Sequence, residues 1–222
     1  MYLPEDTFEQ GGFVGREEQP TRRLTREQRR EQILAAATEA FVLSGFASTS
    51  LDDIAAAAGV TRAILYRHFD SKSELYQSVL DRMCARLEAH VAEPVGGFSD
   101  ESIDGLLAAA IESPAGFRLL FMHALREPEF KERVEKFRAD IVAAAHLQIS
   151  TVVPDPRLAR WAAQLAPTVA IEAIIAWLDA GQPDPDHAAA RVRRVVMGVV
   201  EAGGGAVADC RLPPTTPEGP QT

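Results

Sequence analysis

Arg62, Ala63, Tyr66, Arg67 and His68 fall within seven consecutive residues of a 222-residue chain. A guanidinium can bond two acceptors on a guanine edge at once, and a small apolar group can touch a thymine methyl. Arg62 and Arg67 are therefore candidates for base or phosphate contact, with Ala63 beside them, and the His68 ring can donate to a phosphate or a base. An exposed arginine is more often only solvated, so the element that carries these residues decides between the two readings.

That element is the second of two short helices. Leu51 to Ala58 is alanine-rich, Gly59 ends it, Val60 follows, and Thr61 opens the next segment. Two short helices joined by a glycine-containing turn form a helix-turn-helix, whose second helix can enter the DNA major groove. Leu65 and Phe69, four apart, anchor the second helix inward, while Leu51, Ile54, Ala55 and Ala58 anchor the first. Thr61 serves as cap and as candidate contact. Upstream, Ile33, Leu34, Ala37, Ala40 and Phe41 recur at intervals of three and four, which predicts a helix from Arg26 to Ser44 with one buried face. Thr25 and Gln28 make its capping box, Gly45 its left-handed end, and Phe46 folds back onto the core. Thr49 or Ser50 caps the next helix. Ser71, with Glu74 three residues on, caps a fourth helix that reaches to about residue 92.

The chain as a whole carries a net charge of −9, which argues against indiscriminate nucleic-acid or membrane binding. From Arg22 to Lys72, however, eight basic residues face six acidic ones, leaving +2 there and −11 elsewhere. One end is thus suited to phosphate and the other is not. Cys84 and Cys210 make neither a disulfide framework nor a metal spacing, and the acidic, polar start has no signal-peptide core; both point to the cytoplasm. The apolar run from Ala162 to Leu178 is broken by Gln164, Pro167 and Glu172, so a buried helix is the better reading than a membrane span.

No segment alternates as a strand does, so the expected fold is all-α. Residues 1–24 read as a flexible arm, 25–72 as the helix-turn-helix domain, 73–203 as a helical domain for ligand binding and dimerisation, and 204–222 as a flexible tail. Residues 94–100 break the pattern. Further helices are expected at about 101–112, 115–126, 128–152, 156–180 and 186–202, punctuated by prolines. Phe117, Phe121, Met122, Phe137 and Trp161 are large enough either to fill a bundle core or to line a cavity for an apolar compound. His123 and Glu172 are polar residues in apolar settings that can orient a ligand or simply be satisfied where they stand. Ile171, Ile175 and Leu178, with Val192, Val195, Val196 and Val199, form apolar stripes on the last two helices. They read as a dimer seam or as intrachain core. The histidines at 68, 90, 123, 146 and 187 make no ligand pair at helical spacing, so no metal and no cofactor is expected. A phosphate-cradling loop and a nucleophile elbow are also missing, which speaks against an enzyme.

From about Leu24 to Leu80 the chain resembles the DNA-binding domain of the TetR (tetracycline-repressor-like) family. The matching residues are Ile33-Leu34-Ala35-Ala36-Ala37, Phe41, Gly45-Phe46, Thr49-Ser50, Asp53-Ile54-Ala55, Ala58-Gly59-Val60, Leu65-Tyr66, Phe69 and Ser71-Lys72-Ser73-Glu74-Leu75. Ala63 and Ile64 depart from the family's usual glycine and small polar residue. The resemblance implies that Tyr66, Lys72 and Thr49 contact backbone phosphate. It also implies a homodimeric regulator of transcription, most often a repressor, released from a near-palindromic double-stranded DNA operator by a small apolar effector. The alternative is a helical ligand-binding or scaffold protein whose helix-turn-helix is inactive.

Overall fold

The computed structural model describes residues 24–91 and 100–205, and among them every regular element is a helix. The expected arm with Arg22 and Arg23, the break before Asp100, Cys210 and nearly all of the tail lie outside the described residues. In chain order the elements are α1 (Arg26–Ser48), α2 (Leu51–Ala57), α3 (Arg62–Tyr66), α4 (Lys72–Val91), α5 (Asp100–Glu112), α6 (Pro114–Arg118), α7 (Pro128–Ile149), α8 (Pro156–Asp179) and α9 (Ala188–Ala202).

The helix starts follow their caps. The Thr25 hydroxyl accepts from the Gln28 amide while the Gln28 side chain accepts from the Thr25 amide, and Ser50 and Asp53 repeat this reciprocal arrangement for α2. Each pair satisfies two amides that have no partner inside the helix. Thr61 caps α3 through the Ile64 amide. Asp155 caps α8 by accepting from both Arg157 and Leu158. Gly45 has a φ of 77°, so the chain turns there as expected, but it re-enters helical geometry for three more residues and α1 closes at Ser48. Gly59, at φ 63°, makes the turn between α2 and α3 in a conformation that a side chain would disfavour.

One expected helix is in fact three pieces. After α6, Leu119–His123 forms a π-helical turn and Ala124–Arg126 a 3-10 turn. Leu119, Leu120 and Phe121 are consecutive and all buried. An α-helix spaces three successive side chains over most of its circumference. Widening the turn is one way to lay all three on the core. Conversely, α8 runs through the buried Pro167, as expected from its sequence. It is long and apolar enough to cross a membrane, yet it packs between α7 and α9.

Helices α1 to α3 form a head, and α5 to α9 a body, with α4 shared. Phe41, Phe46, Tyr76 and Phe130 interlock between head and body. Ring centroids lie 4.8 Å apart for Phe41–Tyr76, 5.0 Å for Phe46–Tyr76, 5.2 Å for Phe46–Phe130 and 4.5 Å for Tyr76–Phe130. Phe46 does fold back, and it does so against the first turn of α7. Within this cluster the Tyr76 hydroxyl is buried and has no hydrogen-bond partner among the described residues. Burial, with the nearby Glu127 charge adding, raises its pKa far above the usual tyrosine value. A buried hydroxyl without a partner costs about 1–3 kcal/mol. Tyr76→Phe is therefore expected to leave stability unchanged or to raise it by roughly 1 kcal/mol in urea denaturation. A loss of that size would mean that the hydroxyl is bonded after all.

Candidate nucleic-acid interface

The recognition segment is locked from below. Leu65 is fully buried and Phe69 nearly so. From α1, the Arg30 guanidinium stacks 4.4 Å from the Phe69 ring and donates to the His68 carbonyl and the Ser78 hydroxyl. Gln32 of the same helix donates to the Ala58 carbonyl at 2.8 Å, closing the end of α2. With its inner side held this way, α3 turns Thr61, Arg62, Ala63, Tyr66 and Arg67 to solvent. Tyr66 is 41% exposed, high for a tyrosine in a protein of this size.

Arg62 is poised by two neighbours. It donates to the Asp52 carboxylate at 2.7 Å and to the Tyr66 hydroxyl at 3.3 Å, with its guanidinium 5.4 Å from the Tyr66 ring. The Tyr66 hydrogen bond first, and then the Asp52 charge, raises its pKa. These contacts splint a flexible side chain along the outer face and leave part of its donor fork open. His68 is half-buried, and its pKa is lowered by that burial first and then by the charges of Arg26, Arg30 and Arg29. At neutral pH it is thus an uncharged ring able to donate or accept, not a cation. Arg26 and Arg29, on the first turns of α1, lie close enough to influence His68 and extend the basic surface beyond α3. In the sequence they are two of the eight basic residues between Arg22 and Lys72. Their relation to His68 depends on how α1 crosses α3, which no local pattern reveals.

Two expected contacts have other work. The Thr49 side chain is buried, and its hydroxyl donates to the carbonyls of Gly45 (2.7 Å) and Ala40 (3.2 Å). It ties off α1 and does not face outward. The Lys72 ammonium donates to the carbonyls of Phe46 (2.8 Å), Thr49 (3.1 Å) and Ala47 (3.2 Å), and lies 4.6 Å from the Phe46 ring. All three of its donors serve the carbonyl end of α1, where a cation is favoured by the helix dipole. Both residues act by holding the start of α2 against α1, so neither offers a free group to phosphate in this structure.

The body departs further from expectation. Phe117 and Phe121 are buried with centroids 4.7 Å apart, and Phe137 packs partly buried at 6.4 Å from Phe121. Met122 is partly buried against the same core, and burial lowers the pKa of the half-buried His123. Trp161 is 46% exposed and Glu172 also faces solvent, so the seven residues expected around a ligand do not converge. A cleft opens elsewhere, between α7 and α8, and none of those seven lines it. Among the expected dimer residues, Ile171, Ile175, Leu178, Val192, Val196 and Val199 are buried within this one chain, where α8 packs on α9; only Val195 stays exposed, at 52%. The stripes are intrachain core. Cys84 is buried too, which pushes its thiol up to about 11 and keeps it protonated.

Residues 33–79 match the family of bacterial regulatory proteins, tetR family. The segment that carries α2 and α3 is thus similar to a tetR-family domain. The match spans α1 from its second turn through α2, α3 and the first two turns of α4, and so contains the whole locked segment. The chain is similar to the HTH-type transcriptional activator FasR of Mycolicibacterium smegmatis, with 37% identity over 122 residues, 51% of this chain and 55% of that one. It is also similar to the HTH-type transcriptional regulator TtgR of Pseudomonas putida, with 48% identity over 64 residues, 28% of this chain and 30% of the relative. It thus spans about half the length of the first of these curated relatives and less than a third of the second. In fold it resembles a TetR-like transcriptional regulator from Rhodococcus sp. RHA1. That likeness has a TM-score of 0.69 at 23% identity, and covers 79% of this chain and 97% of that one. That likeness in fold extends well beyond residues 33–79.

Proposed function

We propose that the chain is a ligand-responsive, DNA-binding regulator of transcription that acts as a cytoplasmic homodimer. The observation that carries the reading is the two-sided α3: Leu65 and Phe69 are sealed inside while Arg62, Ala63, Tyr66 and Arg67 stand outside, within a tetR-family domain. Arg62, splinted by Asp52, reads a base edge. Tyr66, Arg67, Thr61 and the flanking Arg26 and Arg29 hold phosphates. His68 donates as a neutral ring. Two copies place two such segments in successive major grooves of a near-palindromic site. Leu158 and Trp161 on the solvent side of α8, with Val195 on that of α9, are large exposed apolar groups, and they are the contacts we assign to the two-fold partner. Relatives and structural neighbours include a named activator and the named secondary repressor of an efflux pump, so both signs of regulation occur among them. Repression with release by an effector is the version we favour. Such release requires the effector to bind the non-operator state more tightly, because equal affinity shifts nothing.

Selection of bound fragments from genomic DNA, followed by gel shift across a salt series, tests this. The expected result is an operator with two related half-sites, bound far more tightly than random DNA and more weakly as salt rises. The Asp52–Arg62 pair and the net charge of −9 favour the competing reading, an inactive helix-turn-helix on a scaffold. Its signature is the absence of any selected sequence at micromolar protein.

A further inference from the structure

We propose that the cleft between α7 and α8 binds a small amphipathic anion, a single carboxylate, sulfonate or phosphate monoester head on an apolar body. The cleft is an open groove of about 540 Å³, within the size range of small-molecule sites. Its apolar lining is Ala139, Val142 and Ala143 on α7 and the fully buried Ala163 on α8, with His146 beside them. Arg138 from one wall and Arg160 from the other both line it. Six of the eleven arginines between residues 72 and 202 hold a carboxylate, Arg193 with Asp104 among them, and Arg126, Arg157 and Arg194 do not among the described residues. Arg82 pairs with Glu31, Arg86 with Glu112, Arg118 with Asp179, Arg133 with Asp81 and Arg191 with Asp184. Arg138 and Arg160 have no carboxylate partner among the described residues. The one acid in the cleft, Glu135, is paired with Lys131 at 3.6 Å. Two guanidiniums without a carboxylate, one from each helix of a partly apolar cleft, therefore leave a local positive excess on a chain of net −9. A neutral apolar ligand would cover the guanidiniums without satisfying them, and a bare anion would leave the apolar lining wet. An anion with an apolar body answers both demands. Thr168, whose hydroxyl donates to the Gln164 carbonyl, sits at the rim.

That such a ligand is the effector rests on the function proposed above; that it binds does not. The test uses the full chain and calorimetric titration with sodium octanoate, with octan-1-ol as its neutral counterpart and inorganic phosphate as a head without a body. Octanoate is expected to bind at least about tenfold more tightly than either, since a hydrogen bond to a charged group is stronger than a neutral one. Arg138→Ala with Arg160→Ala should abolish that preference and leave octanol unchanged, with thermal melting confirming the fold. Arg157→Ala, outside the cleft, should alter nothing. Octanol binding as tightly as octanoate, phosphate binding as tightly as octanoate, or an octanoate preference that survives loss of both arginines overturns the proposal. Octanoate binding without any change in operator affinity upholds the cleft and refutes only its regulatory role.

Discussion

Arg62→Ala combined with Arg67→Ala is expected to lower operator affinity by at least a hundredfold, while binding to random DNA falls much less. Each bidentate arginine–base pair discriminates by about 1–3 kcal/mol, and a lost phosphate contact lowers the salt slope by about one unit. The two residues should separate by these signatures. Arg62 stands over Asp52, which fixes its direction, so its loss should relax base preference at one position of each half-site. Arg67 is exposed and makes no ion pair among the described residues, so its loss should weaken all sequences alike and flatten the salt dependence. Asp52→Asn sharpens the contrast. Removing a carboxylate from the DNA face should strengthen random binding a few-fold through simple electrostatics. The freed Arg62 then loses its splint, so the ratio of specific to random affinity should fall. Fluorescence anisotropy with the selected operator and a scrambled duplex reads all three quantities. Wild-type affinity in the double arginine variant would sink the assignment of α3 as the reading helix.

How much of this was legible beforehand varies with the range of the interaction. Capping boxes at Thr25 and Ser50, the turn at Gly59, and the inward pair Leu65 and Phe69 are set by residues three or four apart, so spacing alone locates them. Thr49 and Lys72 are different. Their types suit a phosphate as well as they suit a helix end, and only the approach of α4 to the end of α1 shows that the carbonyls claim them first. The same ambiguity governs α8 and α9. An apolar stripe says that a face is buried, not whether the covering helix belongs to the same chain. Here Ile171, Ile175 and Val196 face their own chain and leave Trp161 and Val195 outside. The aromatic ring of Trp161 suits a pocket, yet its place on the outer side of α8 follows from the phase of its buried neighbours Ala159, Ala162 and Ala163. The cleft between α7 and α8 left no trace in the sequence, because it depends on where two helices diverge and on which arginines find no acid.

The largest effect on stability is expected at Phe130, a residue of the body that is needed by the head. It is 3% exposed and its ring lies against both Tyr76 and Phe46. Phe46 is in turn held by Lys72, whose ammonium also closes the end of α1 beside Thr49 and the cap of α2. Phe130→Ala should therefore cost about 3–5 kcal/mol in urea denaturation, the usual range for removing a buried phenylalanine. Part of that cost comes from aromatic pairs worth about 0.5–1.5 kcal/mol each beyond their burial. Phe130→Leu, which keeps most of the volume but no ring, should lie well between the variant and the parent. Because the Arg133–Asp81 ion pair is exposed, it cannot substitute for the lost packing. The informative outcome is the shape of the transition. If the cluster is the joint through which the body fixes the head, Phe130→Ala should split one unfolding step into two, with the head melting first, and operator affinity should fall although no DNA-facing residue has changed. A single transition displaced by less than about 1 kcal/mol would show that the site collapses around the deletion. In that case Lys72 and the α1–α4 contacts hold the head without help from α7.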